Sequence, residues 1–526
     1  MGIDVGGTHT DAVLMAGTTV LASVKTATTL DVTGGIVTAL RRLLAAPGLD
    51  HPAVDGVMIG TTHFTNALVT GRHLAPTAVI RLALPATAAL PPMVDWPARL
   101  VTALRPSIHL CHGGHEFDGR PIAPLDPGEL RRVAAEIGRR GIGSVAISSV
   151  FSPVNAEMEE AAAEVLLDEL PDLHISLSHQ IGRVGLLERE NATIVNACLR
   201  DLAGDIVESF TAALRAVGVT APLYLSQNDG TLMDAEFTRR YPVRTFASGP
   251  TNSMRGAAFL ADLPDCAVVD IGGTTTDVGV LAGGYPRQAT GEVDIGGVRV
   301  NFRMPDVLSV GLGGGSRVTR TPELEVGPDS VGYQLTREAL VFGGQVLTAT
   351  DLAVAAGLAG IGDPAQVGRL DRDLVERGIE WMTRRVADLV DRMRVSATPL
   401  PVVLVGGGSV LIPAELPGVP SVHRPEHHAV ANAIGAAIGQ IGGDVDGLYT
   451  ITSSRTRADV LEEARAEAID RAVAAGAAPG TVEVKEVDEV HVAYLPGNAV
   501  RVRVKAVGEL ALVPGRTRED SRWATN

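Results

Sequence analysis

Ile3-Asp4-Val5-Gly6-Gly7-Thr8-His9-Thr10-Asp11 has a second version at Val269-Asp270-Ile271-Gly272-Gly273-Thr274-Thr275-Thr276-Asp277. Asp4, Gly6, Gly7, Thr8, Thr10 and Asp11 each reappear at a constant offset of 266 residues. Each copy is a short apolar run, a Gly-Gly turn, then Thr and Asp before further apolar residues, which predicts a β-hairpin with glycine in the turn. Such a repeat is the strongest organising signal in the chain. A single Asp-x-Gly-Gly-Thr is as well explained by a structural turn, but two matched copies that both keep their flanking aspartates are not. Glycine lets the backbone N–H groups approach a ligand with no Cβ in the way, and successive N–H groups make an anion-binding concavity suited to phosphates. Asp4 and Asp270, at the strand ends, are placed to hold Mg²⁺ through water. The pattern differs from the Gly-Lys-Ser/Thr phosphate loop and from G-x-G-x-x-G.

Working outward, Ile59-Gly60-Thr61-Thr62-His63-Phe64-Thr65-Asn66 runs from an apolar approach into a helix start near Thr65. Hydroxyls and N–H groups at such an end attract anions or polar groups, although a plain threonine cap explains these residues at least as well. Ala247-Ser248-Gly249-Pro250 and Ser226-Gln227-Asn228-Asp229-Gly230 are two further strand-to-loop transitions rich in small polar groups. Thr61, Thr62, His63, Asn66 and Ser248 are the candidate substrate contacts. Pro401 to Ser409 is a buried strand running into Gly406-Gly407-Gly408, with a small-residue helix from Val430 behind it; together they allow a flat adenine and ribose to lie against backbone. Gly311 to Ser316 is a third glycine cluster. The segment from Gly185 to Val217 has helical periodicity and reads as a connecting helix.

The 526 residues are enough for two or three domains, and the net charge of −16 argues against a nucleic-acid groove or an anionic membrane surface. No apolar run is long enough for a membrane span. An opening strand at Met1-Gly2-Ile3 leaves no room for a secretory leader, and Cys111, Cys198 and Cys266 are unpatterned, so a cytoplasmic protein with reduced thiols is expected. His109, Cys111, His112, His115 and Glu116 crowd into one stretch whose spacing fits no standard zinc pattern; a polar loop is the better reading. From Asp444 the chain reads as a small α/β module: a helix over Arg457 to Ala475, a strand over Val482 to Val487, then two strands flanking Pro496-Gly497-Asn498, and a polar tail after Gly515.

The hairpin pair, Gly-Thr-Thr-x-x-Thr-Asn, Ala-Ser-Gly-Pro and Val-Gly-Gly-Gly-Ser together resemble the hydantoinase/oxoprolinase family, A-type subunit, within the actin, sugar-kinase and heat-shock-chaperone ATPase superfamily. The resemblance covers roughly residues 1 to 440. It implies an α/β fold of two ribonuclease-H-like, actin-type lobes around a Mg-ATP cleft, with a first lobe over 1–185, a second over 186–445 and the α/β module over 446–526. Asp4, Gly6, Gly7 and Thr8 match the first phosphate motif, and Thr10 is a further candidate nucleotide contact. Asp270, Gly272, Gly273, Thr274 and Thr275 match the second, and Gly406, Gly407 and Gly408 match the adenosine motif. The implied chemistry is phosphorylation of a ring carbonyl oxygen in a hydantoin, 5-oxoproline or lactam, with Asp4, Asp270, Asp277 and Asp11 as candidate catalytic carboxylates. An ATP-dependent carboxylase subunit and a small-molecule kinase are the alternatives. A separate B-type subunit or other partner protein, and an oligomer, are expected. Where relatives continue into Pro-Gly-Pro-x-Cys-Tyr-Gly, this chain reads Gly332-Tyr333-Gln334-Leu335-Thr336, so its substrate loop is expected to differ.

Overall fold

The computed structural model describes residues 1–7, 9–27, 32–47, 53–320, 323–492 and 498–511. Thr8 of the first turn, Pro496 and Gly497 of the C-terminal turn, and the tail after Gly515 lie outside the described residues.

The sequence repeat is also a repeat of topology. In the first sheet Gly2–Val5 pairs antiparallel with His9–Ala16, which pairs antiparallel with Thr19–Ala27; on its other side Gly2–Val5 runs parallel to Val57–Thr61, and that strand parallel to Leu223–Ser226. In the second sheet Cys266–Ile271 pairs antiparallel with Thr276–Ala282, which has Tyr285–Pro286 and Val307–Val310 antiparallel beyond it; on its other side lie Val402–Val405 and Val422–His423, both parallel. Even the register is shared, with Asp4 opposite Asp11 and Asp270 opposite Asp277. Both expected hairpins are present, closed by Gly6 N–H to His9 O at 3.0 Å and Gly272 N–H to Thr275 O at 2.8 Å. Ile3, Val5, Val269 and Ile271 are fully buried, which anchors each strand in its own core.

Between the fourth and fifth strands of the first sheet the chain builds a parallel sheet of its own, ordered Ser107–His112, Thr77–Leu84, Ser144–Ser149, His174–Leu177. Helices Pro127–Arg140 and Glu157–Glu169 cover one face with Leu130, Ile137 and Leu166. On the other face a buried ion pair, Arg81 Nε to Glu190 Oε2 at 2.7 Å, is completed by Ser148 Oγ at 2.7 Å. The expected connecting helix is present but interrupted at Leu199, as Leu186–Cys198 and Arg200–Ala216.

Thr231–Asp234, Gln440–Thr450, Ala499–Gly508 and Glu483–His491 extend the first sheet to nine strands. That sheet therefore draws strands from each of the stretches 1–185, 186–445 and 446–526. The C-terminal helix, Arg457–Ala474, buries Val460, Ala464, Ala468 and Ala472 at four-residue spacing, and Thr456 with Asp459 forms its capping box. Among the described residues no helix is long and apolar enough to cross a membrane. The three cysteines are buried and unpaired.

Candidate functional site

Parallel strands end together, so the loops after Val5, Thr61 and Ser226 emerge at one edge of the first sheet, as do those after Ile271 and Val405 in the second. Two helices fasten these edges to each other. Ser248–Ala261 and Ala431–Ala437 pack backbone against backbone, at Gly256 against Ala431 and Gly435 against Asn252. From the first helix, Ser248 Oγ donates to Thr61 O at 3.4 Å, Asn252 Nδ2 to Ser226 Oγ at 3.0 Å, and Ser253 Oγ to Asp270 Oδ2 at 2.5 Å. From the second, Asn432 Nδ2 donates to Oδ2 of both Asp4 and Asp11, each at 2.9 Å. Lys25 reaches both oxygens of Asp11 at 2.8 Å and Ala429 O at 3.2 Å. Asp4 and Asp11 of the first hairpin are thus held from one of these packed helices and Asp270 of the second from the other.

The second turn is enclosed by glycines. Gly408 N–H donates to Ile271 O at 2.7 Å, and a Cβ on Gly406 would collide with Asp270 Oδ1. Gly314 and Gly315 donate to the carbonyls of Gly272 and Gly273 at 3.0 and 2.7 Å. Because a trans peptide sets C=O opposite the next N–H, this turns the N–H groups of Gly273 and Thr274 away from Gly314 and Gly315. Gly60 has the same need for closeness, since a Cβ there would lie 2.5 Å from Asp4 Oδ1.

The other sequence-predicted residues fall into place around this core or away from it. Thr61 is buried and shares a 2.5 Å hydrogen bond with His63 Nδ1; Asn66 is exposed on the helix His63–Thr70 and reaches Thr62 Oγ1 at 3.4 Å. A Cβ on Gly249 would lie 3.8 Å from Thr62, so the Thr61–Asn66 segment borders the start of the Ser248–Ala261 helix. Gly7, Thr275 and Gly407 are exposed, whereas Thr10 is fully buried, on the strand face opposite to Asp11. The histidine cluster sits on the separate parallel sheet, where His112 pairs with Glu129 at 3.2 Å. Among the described residues no three His, Cys, Asp or Glu side chains form a metal-binding group.

Residues 1–170 match the hydantoinase/oxoprolinase N-terminal region, and residues 189–393 match hydantoinase/oxoprolinase. The chain belongs to the hydantoinase/oxoprolinase family. It is 29% identical over 255 residues to the acetophenone carboxylase gamma subunit of Aromatoleum aromaticum, covering 46% of this chain and 34% of that protein. It is 27% identical over 277 residues to caprolactamase subunit alpha of Pseudomonas jessenii, covering 52% and 39%. The matched segments thus span less than half the length of these relatives. The fold is similar to that of the ATP-dependent caprolactamase from Pseudomonas jessenii, with TM-score 0.79 and 19% identity over 97% of this chain and 87% of that one. It is also similar to nucleotide-free acetone carboxylase, with TM-score 0.68 and 16% identity over 97% and 88%. The architecture is accordingly the expected α/β fold of two actin-type lobes, each with the strand pattern of a ribonuclease-H-like sheet.

In this hydantoinase/oxoprolinase chain the electrostatics centre on Asp4. Burial, then the charges of Asp11 and Asp270, push its carboxyl up to about 7 against the opposing Asn432 hydrogen bond and Lys25. Burial likewise raises Asp270, and raises Asp277 to about 6. Asp4 Oδ1 is buried without a hydrogen-bond partner among the described residues, and Lys25 is committed to Asp11. Crowded, under-compensated carboxylates beside outward N–H groups fit a divalent cation together with a phosphate chain. With fewer than three direct protein ligands, such a cation would keep several waters.

A stability consequence follows from Asp4. Its folded-state pKa of about 7 lies above the ordinary 3.8, so the folded protein binds this proton more tightly than the unfolded chain. The associated stabilisation is complete below the unfolded value and is lost as pH rises through the folded one. Thermal melts without added metal or nucleotide are expected to fall from pH 5 to pH 8, and Asp4→Asn to flatten that slope; an equal slope in both proteins would refute this assignment.

Proposed function

We propose that this chain binds ATP with Mg²⁺ between its two hairpins and transfers the γ-phosphoryl group to the carbonyl oxygen of a small cyclic amide, of hydantoin, 5-oxoproline or lactam type. The observation that carries the reading is the pair of Asp-x-Gly-Gly turns, alike in register, with Asp4 held by Asn432 and Asp270 by Ser253 from two helices packed against each other. Asp4 and Asp270 would hold Mg²⁺, which supplies charge neutralisation on the phosphates. N–H groups of Gly7, Gly273 and Thr274 would receive phosphate oxygens, and Gly406–Gly408 would give adenosine a flat backbone surface. Phosphoryl transfer asks the protein mainly for positioning and electrostatics, which is what these groups offer.

In the proposed step the ring oxygen attacks the γ-phosphorus, the bond to ADP breaks, and the ring N–H proton leaves to a base. Asp11 is engaged by Lys25 and Asn432, whereas Asp277, with its carboxyl near 6, accepts from Ser309 at one oxygen and is ionised at neutral pH, so its other oxygen can take the proton; we assign it as that base. Water adds to the phosphorylated imidate carbon and the ring amine departs, leaving an acyl phosphate that a second water cleaves to carboxylate and phosphate. Thr61, Thr62, His63, Asn66 and Ser248 would line the substrate side. The caprolactamase relative is a subunit alpha, and we propose by analogy a separate B-type subunit or other partner protein for the ring-opening half.

The likeness to acetophenone and acetone carboxylases favours one second reading, in which the same ATP half serves a carboxylation. Phosphate release by the purified chain with ATP, Mg²⁺ and a panel of hydantoins and lactams, with and without bicarbonate, separates the two. We expect at least a tenfold stimulation by one class of ring amide and none by bicarbonate. Calorimetry that detects no binding of a non-hydrolysable magnesium nucleotide would remove both readings.

A further inference from the structure

A cavity of about 870 Å³, apart from the hairpins, lies where the first lobe, Phe302 with Arg303, and the C-terminal strands meet. None of the hairpin aspartates or glycines lines it. Its size is that of a site for an organic small molecule. Arg183, Arg303 and Arg501 line it from three distant parts of the chain, with Val184, Phe302 and Leu448 among its apolar walls.

The charge around it is unevenly matched. Arg501 holds Asp446 through two hydrogen bonds of 2.8 and 2.7 Å, and Arg303 holds Asp444 at 3.0 Å. Arg183 and Arg503 must share the same Asp446, at 3.7 and 3.4 Å. Asp488 lies 3.6 Å from Arg503 and Glu486 4.0 Å from Arg303, which leaves the shared pair at 3.7 Å as the one ion pair of Arg183 among the described residues. Nε and Nη2 of Arg183, and Nη2 of Arg303, are buried without hydrogen-bond partners among the described residues. Buried guanidinium donors left unsatisfied are costly, and a planar carboxylate is the group whose geometry answers them. Burial first, and then the neighbouring Arg503, push Arg183 down to about 10, whereas at Arg303 burial is outweighed by Asp444, Glu486, Asp446 and Asp229, which raise it, so the less compensated arginine is Arg183.

We propose that this cavity binds a small organic carboxylate, its charged end against Arg183 and Arg303 and its apolar body along Val184, Phe302 and Leu448. The proposal does not rest on ATP binding at the hairpins. A free inorganic anion would leave the apolar walls uncovered, and a neutral apolar molecule would leave the guanidinium donors unanswered, so both halves of the lining select the class.

The test is calorimetric titration of the full chain with sodium 4-phenylbutyrate, with 4-phenylbutan-1-ol and inorganic phosphate as controls. Arg183→Gln leaves Asp446 its pairs with Arg501 and Arg503, so the fold is expected to persist; Val184→Trp fills the cavity without touching a charge. We expect 4-phenylbutyrate to bind, both variants to weaken it about tenfold or more, and Asp4→Asn to leave it unchanged. No binding, equal binding of the alcohol or of phosphate, or loss with Asp4→Asn but not with the cavity variants would each overturn the proposal.

Discussion

Asp4→Asn is expected to cut ATP-dependent phosphate release steeply while making the free protein more heat-stable. The two effects share one cause. In the folded chain the Asp4 carboxylate is buried beside Asp11 and Asp270, and its ionised form is disfavoured up to about pH 7. The amide has the same shape and carries no charge, so at pH 8 it removes a cost on the order of 4 kcal/mol at most, as three pKa units convert. Part of that is lost again because Asn432 donates to Asp4 Oδ2 and an amide accepts less strongly than a carboxylate. A rise in melting temperature of a few degrees is the net expectation. The same substitution removes a charge that would anchor Mg²⁺ opposite the γ-phosphate, for which we expect a loss of about 10² to 10³ in turnover. Asp270→Asn should act alike on turnover but stabilise less, because Ser253 already donates to Asp270 at 2.5 Å. A residue with only a structural role would show the opposite pairing, with stability falling and any loss of turnover following from it. Melting curves and phosphate release on the same preparations decide between them. Wild-type turnover by Asp4→Asn would end the proposed role of the carboxylate.

What could be read from the sequence was whatever the repeat carried. The motif holds Asp4 with Asp11 and Asp270 with Asp277 in consecutive residues, so a hairpin suffices to bring each pair together and the register follows. Lys25 was missed, and counting could not have found it: from the Ala16–Thr19 pair, regular pairing sets Val24 opposite Asp11, and only a bulge between the pairs of Met15 and Leu14 shifts the register to bring Lys25 there. Asn432 is different. Its carboxylate partners lie 428 and 421 residues earlier, and its segment read only as a small-residue helix behind adenosine. Ser253, likewise, lies just beyond Ala247-Ser248-Gly249-Pro250, with nothing in the sequence to aim it at Asp270. The extension of the first sheet by Gln440–Thr450 and the C-terminal strands was also illegible, because alternating hydrophobicity identifies a strand but not its neighbour. The arginine-lined cavity is assembled from residues 183, 303 and 501, which no local pattern joins.

The two lobes also meet where two helices approach with no side chain between them. A Cβ on Gly256 would overlap the carbonyl of Ala431 and approach Gly435 N to 3.1 Å; one on Gly435 would overlap the carbonyl of Asn252 and stand 2.9 Å from its Cα. These obstacles are backbone, so no rotamer change relieves them, and only separation of the helices Ser248–Ala261 and Ala431–Ala437 makes room. Those helices carry Asn252, Ser253 and Asn432, so separating them also draws donors away from Asp4, Asp11 and Asp270. Gly435→Val is therefore expected to destabilise the protein by more than about 4 kcal/mol, in the range reserved for severe core disruption. Gly7→Ala is the matched control. Its Cβ would meet nothing within 4 Å and its backbone is not in a left-handed conformation, so stability should change by less than about 0.5 kcal/mol. If the first turn does receive phosphate oxygens, that silent change should still weaken magnesium-nucleotide binding, because the new methyl group stands where the backbone must approach the ligand. Denaturant unfolding of both variants, followed by nucleotide titration of Gly7→Ala, separates the joint that holds the lobes from the surface that faces the nucleotide. A Gly435→Val protein that unfolds at the wild-type midpoint would show that the helices are not locked at this point.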